Sequence, residues 1–197
     1  MSFASPPSDE RRRQLADPRE LRALAHPLRL ALLDHLMSFG EQTAARCAEA
    51  VGSTTSNCSY HLRALGRAGF VERADSADGR ERPWRATATG LAYGQDDLEL
   101  PPAAAEAALR LDELSLARAE QLTRQARRRN DQQPADWRAA EAYHDYGLYI
   151  TAAELADLTA QIDHLVRPYI AMARRNAPED AEVAILRLLA FRHPQTP

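Results

Sequence analysis

The chain has 197 residues, 45% hydrophobic and 27% charged, with a formal net charge of −3, values that fit a globular protein able to bury one large core or two small ones. Two cysteines, Cys47 and Cys58, are too few for a disulfide framework, and no apolar run approaches the length needed to cross a membrane. The first residues, MSFASPPSDERRRQ, lack the apolar segment of a secretion signal, so a reducing cytoplasm is the expected compartment.

Residues 1–16 are polar and contain prolines, the composition of a loose arm. Asp17-Pro18 is an N-cap followed by proline at the first helical position, which opens a short helix reaching about Ala25. His26-Pro27 restarts the chain into the apolar helix LRLALLDHLM, ending near Gly40. Thr43 caps a third helix, AARCAEAV, that stops at Gly52. A fourth helix runs from about Thr54 to Gly69. Cys58, Leu62 and Leu65 line one face of it at i, i+4 and i+7, while Ser56, Ser59, Tyr60, Arg63 and Arg67 fall largely on the other. Its start is unusual, because Ser, Thr and Asn compete with the backbone and are mediocre helix formers. A helix made only for packing would not gather them at one end.

Beyond Gly69 the period shortens. FVERADSA and PWRATAT flank the turn DGRE and read as a two-stranded hairpin. The acidic, proline-containing stretch GQDDLELPP, residues 94–102, reads as a linker. A long Ala-rich helix is expected over 103–130, with a stripe at Ala107, Leu111, Leu114, Leu122 and Ala126 and a basic end at residues 127–129. A short Trp-bearing helix (135–144) and a strand, YGLYI (146–150), come next. The pattern T-A-A-E at Thr151–Glu154 is a capping box. It opens a helix whose residues Leu155, Leu158, Ile162, Leu165, Tyr169 and Met172 form a packing seam, with Pro168 expected to kink or shorten it. VAILRLLAF (183–191) reads as a buried strand.

The order helix, helix, tight link, helix, two-stranded ribbon over residues 20–89 is that of a winged helix-turn-helix, whose last helix enters the DNA major groove by its N-terminal residues. Short Ser, Thr and Asn side chains permit close approach and can reach bases or phosphates. The charge agrees: residues 1–93 carry 13 Arg against 11 acidic residues, and residues 94–197 carry 12 against 17. Three segments, LRALAHPLRLALLDHL, VGSTTSNCSYHLRALGRAGFV and DGRERPWRAT, resemble in order the patterns of the ArsR family of bacterial winged-helix transcriptional regulators. The resemblance covers about residues 20–92. It implies DNA contact by Thr55, Ser56, Asn57, Ser59, Tyr60, His61 and Arg63 in the helix, and by Arg80 and Arg82 at the wing.

Asn57 is the leading base reader, since a carboxamide can pair bidentately with adenine. For His61 a phosphate contact and a packed imidazole are equal alternatives. Trp84 is read as pinning the wing to the body. Many metal-sensing members of the family carry Cys-x-Cys on the preceding helix. The corresponding residues here are Thr43 and Ala45, so no metal site and no cofactor is expected. Cys47 and Cys58 should meet where two helices cross; small core residues are the simpler reading, a redox or metal switch the other. His144, His164 and His193 lack helical ligand spacing.

The fold class is therefore mainly α with a small β component: a flexible arm (1–16), a winged helix-turn-helix (17–93), a linker (94–102) and a C-terminal dimerisation or effector region (103–197) with a long helix and about two strands. The sequence contains no phosphate loop, nucleophile elbow or catalytic triad, so an enzyme is not expected. The expected function is a sequence-specific transcriptional regulator, by default a repressor, acting as a homodimer on near-palindromic double-stranded DNA. The alternatives are a protein-interaction module that retains a winged helix, or a regulator responding to redox state or to a small molecule held by Trp137, Tyr143, Tyr146, Tyr149 and Tyr169.

Overall fold

The computed structural model describes residues 13–75, 82–92, 101–170 and 176–195. In chain order these form β1 (Arg13–Gln14), α1 (Pro18–Leu24), α2 (Pro27–Phe39), α3 (Ala44–Val51), α4 (Thr55–Arg67), β2 (Val71–Arg73), β3 (Trp84–Ala86), β4 (Leu91–Ala92), α5 (Pro102–Arg129), α6 (Ala135–Ala140) and α7 (Ala152–Val166). The chain divides into two compact units, the first extending through Asp131 and the second beginning at Gln132.

Local chemistry sets the helix starts. The side chains of Asp17, His26, Thr43 and Thr54 each accept a hydrogen bond from a backbone N–H in the first turn of α1, α2, α3 and α4 respectively. Gly52 ends α3 with φ +64°, a conformation that favours glycine, and so permits the tight link into α4. One core then joins the elements: Leu21 and Leu24 of α1, Leu32, Leu33 and Leu36 of α2, Cys47 of α3, and Cys58, Leu62 and Leu65 of α4 are all essentially inaccessible to solvent.

The ribbon β2–β3 is antiparallel, with Val71 opposite Ala86, Glu72 opposite Arg85 and Arg73 opposite Trp84. Gln42, just before α3, adds a third edge by exchanging two backbone hydrogen bonds with Trp84, at 3.0 and 2.8 Å. Three helices with a ribbon tied back onto them make this a winged helix-turn-helix. The turn DGRE at the ribbon's tip lies outside the described residues.

Three features depart from expectation. The arm is fixed from Arg13 onward: β1 pairs in parallel with β4, and Leu15 is buried. The remainder of the arm, residues 1–12, lies outside the described residues. The long helix does not open a separate region at 103. Ala104, Ala107, Ala108 and Leu111 are buried, and α5 packs on α1 and α2, where small side chains allow close approach. Leu114 and Leu122 are half-buried and Ala126 is exposed, so the expected stripe is a core contact only in its first turns.

The third departure concerns the second unit. It is helical where α6 and α7 were expected, and α7 carries the full capping box of Thr151 and Glu154. It stops at Val166, followed by a single 3-10 turn at Arg167–Tyr169, as Pro168 requires. The two expected strands are not formed. Residues 146–150 and 183–191 are irregular, and their apolar side chains, from Tyr146 to Phe191 (74% exposed), face solvent. A strand needs a hydrogen-bonded neighbour, and an apolar run needs a surface to cover it. Among the described residues of the unit these segments have neither. The α7 seam is likewise open: Leu155, Leu158 and Ile162 are half-buried and Leu165 and Tyr169 exposed, while Met172 falls outside the described residues.

Candidate nucleic-acid interface

The polar start of α4 is displayed, not packed. The Oγ of Thr54 accepts from the Asn57 N–H at 3.2 Å, which fixes the first turn. Thr55, Ser56, Asn57, Tyr60 (59% exposed), Arg63 and Arg67 then stand exposed, with Ser56, Tyr60, Arg63 and Arg67 on the face opposite Cys58, Leu62 and Leu65. Ser59 is half-buried at the edge of this face. The unsatisfied N–H groups of the first turn give this end of the helix a partial positive charge, which suits phosphate.

Arg67 belongs with this set. It lies one turn beyond Arg63, an i, i+4 relation that was visible in the sequence. With Gly66, Val71, Glu72 and Trp84, the two arginines line an open groove of about 450 Å³ between α4 and the ribbon. Gly66 permits that junction, since a Cβ there would lie 3.2 Å from the Trp84 ring. Trp84 is 6% exposed and pins the ribbon to the body, with the Arg73 guanidinium 4.0 Å above its ring.

His61 resolves to the packed alternative. Its ring lies 4.4 Å from that of His26, the N-cap of α2, and 5.1 Å edge-on from Tyr60. Burial pushes both imidazoles below their ordinary pKa, and the Arg29 charge pushes in the same direction. A ring turned toward α2 joins two helices.

At the wing, Arg82 is exposed and 3.9 Å from Asp75, whereas Arg80 lies outside the described residues. Arg85, in contrast, is held by Glu72 at 2.8 Å and Glu41 at 3.4 Å, and the Glu72 hydrogen bond raises its pKa. Its charge is already matched. Arg13 was not foreseen as a structural residue. Its guanidinium donates to the carbonyls of Ala68 and Gly69 beyond the end of α4, pairs with Glu20, and lies 4.5 Å over the Phe70 ring.

The remaining candidates gather no further site. Trp137 is half-buried and Tyr143, Tyr146, Tyr149 and Tyr169 are exposed, so they do not wall an effector pocket within their unit. Cys47 and Cys58 are free and fully buried. Burial, then the neighbouring Cys58, pushes the Cys47 thiol up to about 11 against an opposing backbone hydrogen bond. Thr43 serves as the cap of α3, and Ala45 is half-buried beside it. Among the described residues no three His, Cys, Asp or Glu side chains are placed to hold a metal ion, and no helix is long and apolar enough to cross a membrane.

Residues 24–74 match a protein family described as a helix-turn-helix domain, in agreement with the α2–α4 geometry. No curated protein matches the chain. Among solved structures, it is similar to a homodimeric winged helix-turn-helix DNA-binding domain from Mycobacterium bovis, described as a possible ArsR-family transcriptional regulator. The identity is 22%, the alignment covers 66% of this chain and 85% of that one, and the TM-score is 0.34.

Proposed function

We propose that this chain is an ArsR-like, sequence-specific DNA-binding transcriptional regulator, working in the cytoplasm as a homodimer on a near-palindromic operator. The observation that carries the reading is the exposure of Thr55, Ser56 and Asn57 at the positive end of a well-capped helix, with Tyr60, Arg63 and Arg67 exposed along its outer side. Arginines at the groove and at Arg82 supply phosphate affinity, which is sequence-independent and sensitive to salt. The first turn of α4 supplies sequence choice. Two such helices in a dimer would address half-sites about 34–36 Å apart. Occupying an operator would exclude polymerase, so repression is the expected outcome.

A second reading rests on the second unit, none of whose described residues is buried. Its apolar side chains favour a partner, either a second copy of the chain or a different protein, in which case the winged helix is a retained scaffold. Replacing Asn57, Ser59 and Arg63 together with Ala separates the two. Regulation by DNA binding predicts loss of operator affinity with unchanged circular dichroism. The interaction module predicts partner binding unaffected and no operator to lose. Selection of genomic fragments by the purified protein, at low and at physiological salt, supplies the operator. A palindromic motif that survives the higher salt supports the proposal, and only weak, salt-abolished binding refutes it.

A further inference from the structure

The Asn57 carboxamide is not free to rotate. Its Nδ2 donates to the Oγ of Ser53, one turn earlier, at 3.1 Å. In that bond the Asn57 amide nitrogen donates and the Ser53 hydroxyl oxygen accepts. That fixes which end of the carboxamide faces Ser53.

A carboxamide has two N–H donors and one carbonyl oxygen. With one N–H held by Ser53, what remains for an outside partner is one N–H beside one oxygen. Adenine presents the complement in the major groove, an acceptor at N7 beside a donor at N6. The geometry points to Ser53 as a positioning residue that locks the Asn57 carboxamide in the orientation for bidentate reading of adenine. A rotating carboxamide could turn its NH₂ group to either side and would present the wrong edge as readily as the right one. The lock therefore acts on discrimination between bases more than on affinity. This inference rests on the proposed DNA-binding function.

The test compares wild type, Asn57→Ala, Ser53→Ala and Ser53→Thr on the selected operator, measuring base preference at each position and the salt dependence of binding. Asn57→Ala should erase a preference for adenine at one position per half-site, about tenfold or more. Ser53→Ala should weaken that same preference by about threefold or more and leave other positions and the salt slope unchanged, and Ser53→Thr should restore it by returning a hydroxyl. Substituting 7-deazaadenine, which lacks the N7 acceptor, should abolish the difference between wild type and Ser53→Ala. The inference is overturned if Asn57→Ala changes no position, if Ser53→Ala keeps the wild-type preference, or if it lowers affinity equally at every position. That last result would mark a merely structural role. If wild type selects no motif at all, the proposed function itself fails, and the inference with it.

Discussion

Truncating Trp84 to Ala tests whether the ribbon is held to the helices as the contacts imply. Removing a buried tryptophan costs about 3–5 kcal/mol, the range including both lost transfer free energy and the cavity left behind. Two features place Trp84 at the lower end. The ring borders the open groove with Arg63 and Arg67, so water can fill part of the space it leaves. Its indole N–H is buried without a hydrogen-bond partner among the described residues, so no bond is lost with it. The Arg73 contact adds about 0.5–1 kcal/mol, and the two backbone bonds to Gln42 survive the substitution. The expected loss is about 3 kcal/mol, and about 1 kcal/mol for Trp84→Phe, which keeps most of the buried ring. Urea unfolding of the full chain, followed by far-ultraviolet circular dichroism, measures both. A loss under about 1 kcal/mol for the alanine variant would mean that the ribbon is held by its backbone bridge and not by this side chain.

Three other predictions follow from contacts or titrations. Arg13→Ala should cost about 1–2 kcal/mol: charge-assisted bonds are strong, but this guanidinium is about a quarter exposed and partly screened, and an unchanged urea midpoint would show the clamp to be ornamental. Burial places the folded-state pKa of His26, His35 and His61 below the usual 6.5, so these imidazoles stay neutral when the unfolded chain has begun to bind protons. Stability should therefore fall as pH drops below about 6.5 and continue to fall until the folded values are passed, with a shallower slope in His61→Gln; a flat profile between pH 7.5 and 5.5 would contradict it. At pH 8 a Cys47 thiol with a pKa of about 11 is ionised in only about one molecule in a thousand, so thiol reagents should label both buried cysteines only after denaturant is added, and labelling of the native chain within minutes would restore the redox alternative.

Features that depend on a few neighbouring residues were legible in the sequence. Asp17, Thr43 and Thr151 cap the helices they precede because the partner is a backbone N–H two or three residues away. Cys58, Leu62 and Leu65 define the inner face of α4, and so its outer face, because helical periodicity alone fixes which side chains share a side. Pro168 stops α7 because it cannot donate the next hydrogen bond. The display of Thr55, Ser56 and Asn57 follows from those same local rules.

What the sequence could not supply are the contacts between residues far apart in the chain. Nothing near Arg13 in sequence indicates that its guanidinium will meet the carbonyls of Ala68 and Gly69, and nothing near His61 indicates His26. The boundary after Asp131 was missed for the same reason: the small buried residues of α5 acquire meaning only once α1 and α2 are present to receive them. YGLYI and VAILRLLAF have the composition of strands, yet strand formation is a property of pairs, and neither finds a neighbour among the described residues of its unit. The sequence by itself determined the helices and the face that α4 turns outward, because those are settled within one or two turns of chain. Only the tertiary structure decided which side chains are held by distant groups, because that depends on which segments the core brings together.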